Sequence, residues 1–337
     1  MRLRLIAVSA LVTVPALLLT TGSPAGAAAS TARATVFLPN PVADLQDESL
    51  TDQKDTDYAA LQPAYHSVTL THLDGSGGLS GDYVHVASET GKAATSSGGA
   101  FAYHRDVDQF EQVMAYYWIT EAQLYLQSLG FGTGAFPAVN KRSVPVKINQ
   151  FGGDNSFFKD KQADITYGKG GVDDAEDAEV IVHEYGHSVQ ADQVPGFGST
   201  EESGAIGEGF SDYLAVEVSH WVSPTKDEAC VADWDSVSYT RGPVHCLRRV
   251  DGTKVYPQDL TGEVHDDGEI WSSALWSIRK ALGPAKADTV IIDAQFGFAA
   301  DTTMRAAAAT TIATAQRLYG NAAAKAVSNA FKARGLA

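Results

Sequence analysis

Five consecutive residues, His183-Glu184-Tyr185-Gly186-His187, have the types and spacing for metal chemistry. On a helix, side chains four apart stand one above the other, so His183 and His187 aim two imidazoles at one point. Imidazole nitrogen is a good zinc ligand. Glu184 follows about 100° round the helix, off the ligand face but within reach of a metal's open side. That is where a zinc hydrolase needs a general base for water.

Two histidines do not complete such a site, because a catalytic zinc takes three protein ligands and keeps one position open. The predicted third ligand is Glu208, in the stretch Glu202-Ser203-Gly204-Ala205-Ile206-Gly207-Glu208-Gly209-Phe210-Ser211-Asp212. Residues 188–207 suffice for a loop and an antiparallel return. Gly204, Gly207 and Gly209 would let the two helices approach closely. The apolar neighbours of Glu208 argue against a solvated surface glutamate. Asp212 lies one turn on, on the same face, and is predicted to accept the free N–H of a ligating histidine and fix its tautomer.

The elements that must hold these groups are legible from periodicity. Residues 176–190 form the metal helix, with Asp173, Asp174 and Glu176 near its start, where negative charge suits the helix dipole. Residues 202–219 form the next helix. Upstream, a long helix over 106–129 carries Val107, Phe110, Val113, Met114, Tyr117 and Leu124 at 3.6-residue spacing and stops at Gly130. Strands are expected at 67–73, 83–87, 144–150 and 165–167, with a short extended segment at 155–158. Residues 35–57 and 221–262 read as irregular. A helix over 268–282 ends at Gly283-Pro284, and Ala-rich helices cover 303–319 and 322–333. Strands first and helices later argue an α+β fold. It has a strand-rich N-terminal lobe (30–182) and a helical C-terminal lobe (183–337), with the cleft and the zinc-binding helix between them.

Arg2 and Arg4, the apolar run Leu5–Leu19 and the small residues 25–29 read as a secretory signal peptide over 1–29. The run is short for a membrane span, and no later segment is apolar enough to insert stably. The formal charge of −16 excludes a nucleic-acid binder, which phosphates would repel, and self-repulsion suits a soluble monomer. The two cysteines, Cys230 and Cys246, read as a structural disulfide in an oxidising compartment.

With these residues in view, the sequence resembles the thermolysin-like (glutamate-zincin) metallopeptidases. Gly207-Glu208-Gly209-Phe210-Ser211-Asp212 and His265-Asp266-Asp267-Gly268-Glu269-Ile270-Trp271 are most similar to the fungalysin branch, from about residue 100 to the C-terminus. The resemblance implies that His265 stabilises the tetrahedral oxyanion. It implies that Asn155-Ser156-Phe157-Phe158 is an edge strand binding substrate backbone through Asn155 and the Ser156 carbonyl. Arg248 or Arg249 would bind a substrate carbonyl. A bulky apolar residue after the scissile bond is also what the family implies. Two departures stand out. Ser199 occupies the position of a tyrosine that assists the oxyanion in thermolysin, and residues 30–105 leave no room for the family's usual domain-sized propeptide. Glu179 falls where thermolysin has a calcium-binding aspartate, but the other calcium ligands have no counterparts, so Ca²⁺ is unsupported.

The expectation is a secreted zinc endopeptidase acting on proteins or peptides. Zn²⁺ held by His183, His187 and Glu208 activates a bound water, and Glu184 takes its proton. The alternatives are a non-catalytic binding protein on the same fold and a zinc amidase acting on cell-wall peptides.

Overall fold

A computed structural model describes residues 30–88, 91–96 and 98–337; the segment read as a signal peptide, 1–29, lies outside them. The fold is α+β, and the strands come first. Strand β1 (Ser30–Val36) is followed by a short helix α1 (Pro41–Leu45), β2 (His66–Leu73), β3 (Val84–Val86) and β4 (Ala100–Phe101). Strands β1 and β2 pair antiparallel, Val36 opposite His66, and β4 joins β1 on its other edge. Residues 35–57 therefore hold more order than their Pro- and Asp-rich composition suggests. Pro41 opens α1 at its first turn, where its missing N–H is not needed, and the Asn40 side chain caps it.

Helix α2 (Gln109–Ser128) is the axis of the molecule. It is predicted to be amphipathic but is buried on nearly every face, polar Glu111, Gln112, Thr120 and Gln123 included. A helix packed all round needs no solvent stripe. It packs beside the second sheet, ordered β3-β5-β7-β6, with β5 at Val144–Lys147, β6 at Ser156–Lys159 and β7 at Asp164–Tyr167. Strand β6 runs antiparallel to β7, Ser156 opposite Tyr167, and lies at the edge of this sheet.

Helices α3 (Ala178–Gln193) and α4 (Glu201–Val222) form the next layer. The acidic residues before α3 do not act as a loose dipole cluster. Asp174–Glu176 form a buried 3₁₀ turn, Glu176 accepts from Arg105 Nε and Trp234 Nε1, and Asp177 caps α3 at Glu179 N–H. Helix α4 opens on a Thr200–Ser203 capping box.

Residues 221–262 contain a short antiparallel pair, β8 (Cys230–Val231) and β9 (Arg248–Arg249), tied by the Cys230–Cys246 disulfide. Helix α5 (Val264–Leu282) starts four residues before the sequence reading places it, because the Glu263 side chain caps it by accepting from His265 and Asp266 N–H. Pro284 does not only stop α5; it opens helix α6 (Pro284–Gln295), absent from the sequence reading. Helix α7 (Met304–Lys332) breaks at Gly320, which joins the two Ala-rich segments. No helix among the described residues is long and apolar enough to cross a membrane.

Candidate metal centre

The site forms where α3, α4 and the first turn of α5 meet. His183 Nε2 and His187 Nε2 lie 3.2 Å apart on successive turns of α3. Glu208 faces both from α4, with Oε2 3.1 Å from His183 Nε2 and Oε1 3.4 Å from His187 Nε2. Three ligand atoms thus converge from residues predicted to share one metal.

Small residues permit this approach. A Cβ on Gly186 of α3 would lie 2.6 Å from Ser211 Oγ and 2.9 Å from Ser211 Cα of α4. Gly207 faces the His187 ring and Gln190. The other two glycines serve a different contact from the one predicted. Gly204 abuts Val264, and a Cβ on Gly209 would lie 2.3 Å from the Gly268 carbonyl oxygen. They bring α5, rather than α3, against α4.

Asp212 is buried one turn beyond Glu208, and its Oδ1 lies 2.8 Å from His183 Nδ1. Arg248, on β9, grips the same carboxylate through Nε at 2.7 Å and Nη2 at 2.8 Å. Burial alone would raise the Asp212 pKa, but Arg248 and His183 hold it well below the usual carboxylate range. Two of the Arg248 nitrogens are thereby committed to Asp212. Arg249, the alternative, pairs with Asp227 and Asp251 on the surface.

The charges fit a divalent cation. Burial disfavours a charged His183, yet the hydrogen bonds to Asp212 and Glu208 outweigh it and raise its pKa to about 10. Burial raises Glu208, but His187 and His183 bring it down to about 2, so it is ionised. His187 is lowered to about 4, chiefly by burial, and offers a lone pair. A cation among these groups would supply the positive charge that the His183 proton otherwise supplies, and would displace that proton. With Nδ1–H held by Asp212, Nε2 is then free to ligate.

Glu184 is buried beside the candidate ligands, with Oε2 unpartnered. Burial pushes its carboxyl up to about 7, against the pull of His183. His265, on the first turn of α5, holds Nε2 3.5 Å from Glu208 Oε2, and its Nδ1 lies 2.6 Å from Glu263 Oε1. The sequence reading did not include Glu263, which both caps α5 and orients this ring. An acidic residue two before His265 was the available signal. Asn155, Ser156, Phe157 and Phe158 line one wall of a cleft of about 460 Å³ that reaches His183, Glu184 and His265. Ser199 turns its hydroxyl to the Ala300 carbonyl. Glu179 accepts from Ser219 Oγ and Ala232 N–H, both at 2.7 Å, and joins no cluster of metal-ligating groups among the described residues.

The profile of the fungalysin metallopeptidases (M36) matches residues 71–337. The chain belongs to this family. Like other fungalysins it is a metalloendopeptidase, a hydrolase of protein or peptide substrates. Its fold is similar to that of the precursor of protealysin, a metalloproteinase from Serratia proteamaculans. The TM-score is 0.56 at 17% identity, over 75% of this chain and 85% of that one. No curated protein matches the chain.

Proposed function

We propose that this fungalysin is a secreted zinc endopeptidase, with His183, His187 and Glu208 as zinc ligands and Asp212 as the orienting partner of His183. The observation that carries the reading is the convergence of two imidazole nitrogens and one carboxylate, with the His183 ring fixed from behind. Zinc, when bound, polarises a carbonyl and lowers the pKa of water to about 7.

The chain's own groups do the rest. Glu184, buried and raised to about 7, accepts the proton of the attacking water and passes it to the leaving amine. His265, its Nδ1 facing Glu263, presents Nε2 to the oxyanion. The Asn155–Phe158 segment takes the substrate backbone as an added strand on the free edge of β6. Arg248 secures Asp212 and lines a smaller pocket beside the cleft. The strand-rich 30–182 and the helical 183–337 form its two walls, and the chain acts as a monomer.

Metal analysis of the purified protein should give one zinc per chain. Casein digestion should stop with a chelator and resume with added zinc. Cleavage that persists after complete metal removal would sink the reading.

A further inference from the structure

We propose that a small side pocket of the cleft selects a lysine or arginine side chain on the residue that follows the scissile bond; the inference rests on the proteolytic reading above. The pocket, about 80 Å³, is bordered by His183, Glu184 and His265, and Asp174 and Asp235 also line it. The leaving amine that receives the Glu184 proton belongs to the residue after the bond. Glu184, Asn155 and Ser156 line both this pocket and the main cleft, so a substrate laid along β6 with its leaving amine at Glu184 has the side chain of that residue beside the pocket.

The lining does not suit a bulky apolar group. Asp174 is 3% exposed and Asp235 4%. Each has an Oδ1 with no hydrogen-bond partner. Asp154 joins them, and the three carboxylates offer oxygens within 4.8 Å of one another. Their known donors are neutral: the Ser156 hydroxyl serves Asp174, and the Tyr239 hydroxyl serves Asp154 at 2.5 Å. Arg248, also in the lining, is spent on Asp212. Burial first, and the neighbouring carboxylates next, push Asp174 up to about 7 and Asp235 well above the carboxylate range, the latter against the pull of Arg248.

A long aliphatic stem ending in a cation answers both features. Val180 and Leu247 line the same pocket and can take the methylenes. The ammonium or guanidinium then reaches the unpartnered oxygens in charge-assisted hydrogen bonds. A divalent cation could also meet three carboxylates, but this pocket opens on the groups that handle the substrate, which favours a substrate side chain.

The test uses peptides identical except for lysine, arginine or leucine immediately after the cleaved bond, with products identified by mass spectrometry. The expected kcat/KM for lysine or arginine exceeds that for leucine by about tenfold or more. Asp174→Asn and Asp235→Asn should each lower that ratio. Because the ratio is measured within one enzyme, partial loss of fold cancels. Chelator-sensitive cleavage that favours leucine, with or without added Ca²⁺, overturns this proposal and leaves the proteolytic reading standing. The absence of any cleavage overturns both.

Discussion

Asp212 Oδ1 lies 2.8 Å from His183 Nδ1, and the same carboxylate is held by Arg248. A buried anion therefore has one partner on α3 and one on β9. It links the His183 ring to the short β8–β9 pair closed by the disulfide.

Asp212→Asn keeps the shape of this link and removes its charge. Zinc affinity should fall by about 10–100-fold, read by competition with a chromogenic chelator. The Arg248 guanidinium would lose its buried counter-ion, so stability should also drop, by about 3 kcal/mol. A variant that retains zinc as tightly as wild type would remove the orienting role.

Glu184→Gln should bind zinc normally and lose at least about two orders of magnitude in kcat, the contribution of a positioned general base. Metal content and peptide hydrolysis measured on the same preparation separate this from loss of the site. Full activity in the variant would assign the base elsewhere.

Gly209→Ala tests the α4–α5 contact. The new Cβ would lie 2.3 Å from a backbone oxygen of Gly268, which cannot rotate away. Overpacking should outweigh the gain in helix propensity, for a net loss of about 2 kcal/mol. Denaturant unfolding should show a lower midpoint, and an unchanged or raised one would contradict the packing.

Asp174 gives the pH dependence. Its pKa is raised to about 7 by burial, against about 4 in an unfolded chain. The folded state thus holds the proton more tightly. The stability this contributes is present in full below about pH 4 and is lost as pH rises through about 7. Asp174→Asn cannot ionise, so it should be more stable than wild type at pH 8, by a few kcal/mol, and no more stable at pH 4. Melting curves across that range decide it. A difference that does not change with pH would place the effect outside the Asp174 proton.

Much of the candidate site can be read from local spacing. His183, Glu184 and His187 need only the helical period, and Glu208 and Asp212 need only a second helix facing the first. Glu263 escapes that reading because a cap belongs to the helix boundary, and the boundary is set four residues earlier than composition suggests. Helix α6 escapes because Gly-Pro reads as an end, although Pro at the first turn also begins a helix. Helix α2 shows the converse case: its existence is periodic, but its full burial depends on what packs around it.

The sequence by itself determined the types and spacing of the proposed ligands and of the proposed base, because each follows from residues within one or two helical turns. Only the tertiary structure decided that Arg248 spends itself on Asp212 and that Gly209 serves α5 instead of α3. It alone put Asp174 and Asp235 in one pocket beside Glu184. These relations join residues distant in the chain, and no local period encodes which loop returns to which helix. The acidic pocket is the sharpest case: in the sequence its carboxylates look like surface charge, and only packing removes Asp174 and Asp235 from water with one oxygen of each unpartnered.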